Sequence, residues 1–119
     1  MRFGLKRMKS KVVYIDDELD LCKLFEANLS SPDVQVRSFN DPDLALKHIQ
    51  DSPPDIVFVD YRFPKTTGEK IANRVDPLIP KVLITGDLYR KTDSTFLKVY
   101  YKPVNFKEVL QFILDFKVG

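Results

Sequence analysis

The tightest constraint on this chain is Asp55-Ile56-Val57-Phe58-Val59-Asp60, four apolar residues in a row closed by a carboxylate. A short unbroken apolar run, rich in β-branched and aromatic side chains, fits a strand covered on both faces. Such strands occur in parallel sheets with helices on either side. Asp60 then stands at the carboxyl end of a central strand. The polar loop that follows, residues 61–68, is punctuated by Pro64 and Gly68. In open parallel sheets that edge is where ligands bind. A second run, Lys11-Val12-Val13-Tyr14-Ile15, closes on two more acids, Asp16 and Asp17.

The remaining pattern repeats strand and helix. Residues 12–15 form the first strand. Residues 18–28 carry Leu19, Cys22, Leu24, Phe25 and then Leu29 at roughly helical spacing, and Ser30-Ser31-Pro32-Asp33 stop the helix. Residues 34–39 alternate apolar and polar, as a strand with one face partly wet does. Asp41-Pro42 is a helix start, an N-cap acid with proline at the first helical position, and Leu44, Ala45, His48 and Ile49 mark its apolar stripe. A short helix over 68–75 turns Ile71, Ala72 and Val75 inward and ends before Pro77 and Pro80. Strands follow at 81–86 and 96–101, separated by a polar, weakly periodic segment, 87–95. Asn105 and Glu108 make a capping-box variant, with Val104 and Val109 as its hydrophobic staple, for a last helix over 106–116. Five strand–helix units predict an α/β fold, a parallel sheet with helices on both faces.

Composition narrows the function classes. At 119 residues with 44% apolar residues, the chain has enough material for one packed domain. Residues 1–10 are expected to be a basic extension without an apolar signal-peptide core, and 11–119 the domain. No run approaches the roughly 20 apolar residues of a membrane span, so no membrane partner is expected. One cysteine, Cys22, admits no internal disulfide and suits a reducing, cytoplasmic setting. One histidine, His48, excludes the usual histidine-based zinc clusters and is read as helix packing. A net charge of +2 is too small to predict nucleic-acid binding.

The chemistry gathers at the strand ends. The first strand offers Asp16 and Asp17, the third Asp60, the fourth Thr85 and the fifth Lys102. Clustered carboxylates repel one another unless a cation joins them. Carboxylates and water suit a hard ion such as Mg²⁺. Since adjacent strand residues point to opposite faces, Asp16 and Asp17 can serve one ion only if the strand has ended before them. A carboxylate beside such an ion can attack a phosphoryl group and form an acyl phosphate, with Lys102 and the Thr85 hydroxyl binding its oxygens.

With these residues in order, the sequence resembles the receiver domains of two-component response regulators. The matching positions are Asp16-Asp17, Asp60 with Pro64 and Gly68 behind it, Thr85-Gly86, and Lys102-Pro103, within residues 11–117. The resemblance implies a flavodoxin-like doubly wound sheet of order 2-1-3-4-5. It also implies phosphorylation of Asp60 by a histidine kinase or phosphotransfer protein, and Mg²⁺ held by Asp16, Asp17, Asp60 and the backbone carbonyl of Arg62. Two features depart from the family pattern. Segment 87–95 is short for the usual fourth helix, and Val99 stands where the family carries an aromatic residue, with Tyr100 and Tyr101 nearest. For a single-domain receiver, output is expected through an unidentified downstream protein, from a monomer or weak dimer. Two other readings compete. A Mg²⁺-dependent phosphohydrolase with an aspartate nucleophile would carry an acid two residues after Asp60, where this chain has Arg62. A receiver-like binding module without phosphorylation control would not need the full acid, threonine and lysine set.

Overall fold

The run that ends at Asp60 does become the middle of a parallel sheet. The computed structural model describes residues 9–88 and 95–116. Within them the elements are β1 (Ser10–Ile15), α1 (Leu19–Leu29), β2 (Val34–Phe39), α2 (Pro42–Asp51), β3 (Ile56–Asp60), α3 (Gly68–Ala72), β4 (Lys81–Thr85), β5 (Lys98–Tyr101) and α4 (Phe106–Asp115). The strands form one sheet, all parallel, in the order β2-β1-β3-β4-β5. The expected fold class and strand order are therefore those observed. The short or degenerate fourth helix falls on residues 89–94, outside the described residues. So does most of the basic extension, although β1 begins at Ser10, whose N–H donates to the Asp33 carbonyl at 2.9 Å.

Strand alternation sorts the core into two layers. Val12, Tyr14, Ile56, Phe58, Val82, Ile84 and Tyr100 face α1 and α4. Val13, Ile15, Val57, Val59 and Leu83 face α2 and α3. Every residue of β3 and β4 is buried, which is why their sequences show no polar alternation. Edge strand β2 does alternate: Val34 and Val36 are buried while Gln35 and Arg37 are exposed.

Caps begin the helices where expected. The Asp41 carboxylate accepts from the N–H groups of Asp43 and Leu44, Thr67 Oγ1 from Lys70, and the Asn105 side chain from Glu108. After Ala72 the chain continues with i→i−3 bonds at Arg74 and Val75, so Val75 is still carried inward past the regular helix. Two stripes are narrower than the sequence pattern. On α1 Cys22, Phe25 and Leu29 are buried, whereas Leu19 and Leu24 are about half exposed at 51% and 49%. Leu24 lies two residues from Cys22, roughly 200° around the helix, on the opposite face. On α2 Ala45 and Ile49 are buried, but Leu44 points to solvent. His48 packs its ring on Phe39, centroids 5.1 Å apart, as the packing reading has it.

Phe25 links α1 to the sheet and to α4. Its ring stacks on Tyr14 at 4.0 Å and tilts against Phe58 at 5.4 Å and Phe106 at 6.2 Å. Phe25→Ala is expected to cost about 3–5 kcal/mol of unfolding free energy. Urea denaturation checks this, and a cost below about 1 kcal/mol would show that the layer closes around the void.

Candidate functional site

β1 ends at Ile15, one residue before the acid pair, so Asp16 and Asp17 are released from strand alternation. Asp16 keeps the ladder going for one more bond, its N–H donating to the Phe39 carbonyl at 3.1 Å. Its side chain is fully buried, Asp60 is nearly so, and Asp17 is exposed. Carboxylate oxygens of Asp16, Asp17 and Asp60 all lie within 4.8 Å of one another. The strand order makes this possible, because β1 and β3 are neighbours, Ile15 opposite Val59.

Lys102 reaches the cluster from the end of β5. Its ammonium is 3.1 Å from Asp60 Oδ1 and 3.4 Å from Asp16 Oδ2. Burial works against its charge, but the Asp16 and Asp60 carboxylates outweigh that and hold it above its ordinary value. The remaining Asp16 contacts are protein donors. Tyr14 donates its hydroxyl to Oδ2, the Glu18 N–H donates to Oδ1 at 3.0 Å, and the Cys22 thiol donates to the backbone carbonyl at 3.2 Å. Burial, with the Asp16 charge beside it, pushes the Tyr14 hydroxyl far above its ordinary value, so it remains a donor. The same two causes push the Cys22 thiol up to about 11. Sequence reasoning treated Cys22 as apolar packing alone and gave Tyr14 no part in the site. Tyr14 reaches Asp16 because residues two apart along a strand share a face, whereas the Cys22 contact depends on how α1 docks on β1.

The loop after β3 is held close. The Gly68 N–H donates to the Tyr61 carbonyl at 2.7 Å, and Arg62 pairs with Thr67 in an isolated antiparallel bridge. A Cβ on Gly68 would lie 2.1 Å from the Asp60 carbonyl oxygen, too close for any side chain. Glycine is thus needed there for the approach of α3 to the end of β3. On the other side Thr85 is buried, and its Oγ1 accepts the Asp87 N–H at 3.0 Å, leaving the hydroxyl proton to donate. Arg62 Nε pairs with Asp87 Oδ2, joining the loops after β3 and β4. The Arg62 hydrogen bond holds the Asp87 carboxyl below its ordinary range.

These groups line one cleft of about 480 Å³, walled by Asp17, Asp60, Arg62, Thr85, Asp87 and Lys102 among others. All the site residues expected from sequence except Asp16, which lies fully buried beneath it, line this cleft. A cavity of about 600 Å³ between α2 and the α3–β4 connection contains none of them. Val99 sits on the α2–α3 layer opposite Leu83, and Tyr100 turns the other way to pack on Phe112. Tyr101 lies opposite Thr85 in register and is 48% exposed.

A parallel sheet of this order, with acids, a hydroxyl and a lysine gathered at its carboxyl edge, defines a doubly wound α/β domain with an acidic cleft at that edge. The response regulator receiver domain profile matches residues 12–110, and the chain belongs to that family. Receiver domains are signalling modules of two-component systems rather than conventional enzymes. The chain is 30% identical over 80 residues to a probable transcriptional regulator, ycf27, of Guillardia theta, a match covering 66% of this chain and 32% of that protein. It is 28% identical over 68 residues to the alkaline phosphatase synthesis transcriptional regulatory protein PhoP of Bacillus subtilis, covering 57% of this chain and 28% of that protein. It thus spans about a third or less of these relatives' length. In structure it is similar to a CheY-like response regulator receiver domain from Methylobacillus flagellatus, with a TM-score of 0.75 at 20% identity, covering 88% of this chain and 98% of the other. Among the described residues no helix is long and apolar enough to cross a membrane.

The site's electrostatics carry a stability signature. Burial first, then the Asp16 charge, raise the Asp60 carboxyl above its ordinary value against the pull of Lys102. A carboxyl raised in the folded state binds its proton more tightly there than in the unfolded chain. Its ionisation therefore removes stability as pH rises from the ordinary carboxylate value through the raised folded one. Asp60→Asn, which cannot ionise, is expected to raise the urea midpoint at neutral pH without divalent ions. The gain should shrink towards about pH 3, where the wild-type carboxyl is protonated in both states. A gain independent of pH would contradict this.

Proposed function

We propose that this domain is a phosphorylatable switch that accepts a phosphoryl group on Asp60 from a histidine kinase or phosphotransfer protein and signals by binding a downstream protein. The observation that carries the reading is the placement of Asp60: at the end of the central strand, within 4.8 Å of two further carboxylates and 3.1 Å from the Lys102 ammonium. The donor set suits Mg²⁺, since three carboxylates converge with no nitrogen or sulfur ligand among them. Asp16, Asp17, Asp60 and the backbone carbonyl of Arg62 would hold it. When bound it supplies positive charge that offsets repulsion between carboxylate and phosphoryl oxygens.

The chain's own residues do the rest. An Asp60 carboxylate oxygen forms a bond to phosphorus as the bond from phosphorus to the donor's nitrogen or oxygen breaks, and the donor leaves with that electron pair. Lys102 offers its ammonium to a phosphoryl oxygen, and Thr85 its hydroxyl proton. The family places such a domain in the cytoplasm with its kinase, and the same placement is proposed here.

Acetyl phosphate with Mg²⁺, followed by intact mass measurement, tests the reading. A single phosphoryl adduct is expected on the wild-type chain, lost in EDTA and absent from Asp60→Asn. An adduct of the same yield on Asp60→Asn would remove Asp60 from the role.

The Arg62–Asp87 pair lies on the cleft wall, joining the two loops beside Asp60. As a surface ion pair it adds little to stability, but it narrows the path by which water reaches the acyl phosphate. Arg62→Ala and Asp87→Ala are each expected to speed loss of the phosphoryl group, about ten-fold for each 1.4 kcal/mol of barrier removed. The double variant should be less than additive, as for residues acting as one unit. Decay rates measured by quenched mass spectrometry check this, and two unchanged single variants would refute it.

A further inference from the structure

Tyr14 carries a hydroxyl that the chemistry above does not use. The residue is 2% exposed. Its ring lies flat on Phe25, centroids 4.0 Å apart and planes 4° from parallel, and its strand neighbour is Phe58. Packing on that scale fixes the ring, so the hydroxyl has one direction to point, towards Asp16 Oδ2. Lys102 Nζ is 3.4 Å from the same oxygen, while its contact to Asp60 Oδ1 is 3.1 Å. The second Asp16 oxygen is taken by the Glu18 N–H. A tyrosine that served packing alone would have no use for a hydroxyl against a buried carboxylate, since phenylalanine fills the same slot.

We propose that Tyr14 is a positioning residue for the acidic site: its hydroxyl fixes the Asp16 carboxylate and, sharing Oδ2 with the Lys102 ammonium, keeps the shorter contact of that ammonium on Asp60. The inference rests on the Mg²⁺-binding reading above. A buried carboxylate that loses one donor turns to the donors that remain, and the nearest mobile one is Lys102. Asp16 would then be drawn from its place beside Asp17, and Asp60 would lose its counter-ion. Hydrogen bonds that hold carboxylate ligands from behind are typically worth about 10-fold or more in metal affinity.

Mg²⁺ titrations of the full chain, read from folded-state NMR resonances, test this with four proteins: wild type, Tyr14→Phe, Asp16→Asn and the double variant. Tyr14→Phe keeps the stacked ring and removes only the hydroxyl. It is expected to bind Mg²⁺ about ten-fold more weakly than wild type. The nitrogen resonance of the Lys102 ammonium should shift in the metal-free protein. In the Asp16→Asn background the same substitution should change affinity by less than about two-fold, because the hydroxyl acts through Asp16. Equal affinities of wild type and Tyr14→Phe would overturn the positioning role, and so would an equal loss in both backgrounds. Failure of the wild type itself to bind Mg²⁺ would instead overturn the functional reading, and this inference with it.

Discussion

One ammonium stands between two carboxylates that have almost no access to water, and the carboxyl edge of the sheet is arranged around that contact. Lys102 lies 3.4 Å from Asp16, which is fully buried, and 3.1 Å from Asp60, which is nearly so. Two desolvated negative charges side by side are costly, and one positive charge offsets only part of the cost. The Asp60 carboxyl remains above its ordinary value despite Lys102. The edge is thus left short of positive charge, a condition that favours binding of a further cation. The stability of the fold is supplied elsewhere, by the two apolar layers on either side of the sheet.

The site is divided between buried and exposed parts. Asp16 is held from behind by Tyr14 and Glu18, each two residues away along the chain, and by Cys22 from α1. Asp60 is fixed by β3 itself and by the close approach of Gly68. Asp17 and the Arg62–Asp87 pair, which also line the cleft, are exposed instead. The strand-five aromatic residues are placed unlike the family pattern: Val99 lies in the α2–α3 layer, Tyr100 packs on α4, and Tyr101 stands beside Thr85.

Much of this was written in local patterns. Strands covered on both faces need unbroken apolar runs, so β1, β3 and β4 are visible in the sequence, and the acids that close two of them mark the acidic edge of the sheet. Caps are equally local, which is why Asp41, Thr67 and Asn105 begin helices. Strand order came from the family resemblance, and it brings the ends of β1 and β3 together. The sequence by itself therefore determined the alternation of elements, the sheet class and the acids, threonine and lysine of the site. What only the tertiary structure decided is which partners those residues meet. Tyr14 and Cys22 look like core residues because they are core residues; the Tyr14 hydroxyl meets Asp16 two residues along the same strand, and the Cys22 thiol meets it only because α1 docks there. Leu24 and Leu44 look like core residues and are not, because a helix can bury only the stripe its neighbour covers. Hydrophobic periodicity records which face is covered, whereas hydrogen bonds between elements depend on register and rotation at the scale of an ångström, and no short stretch of sequence carries that information.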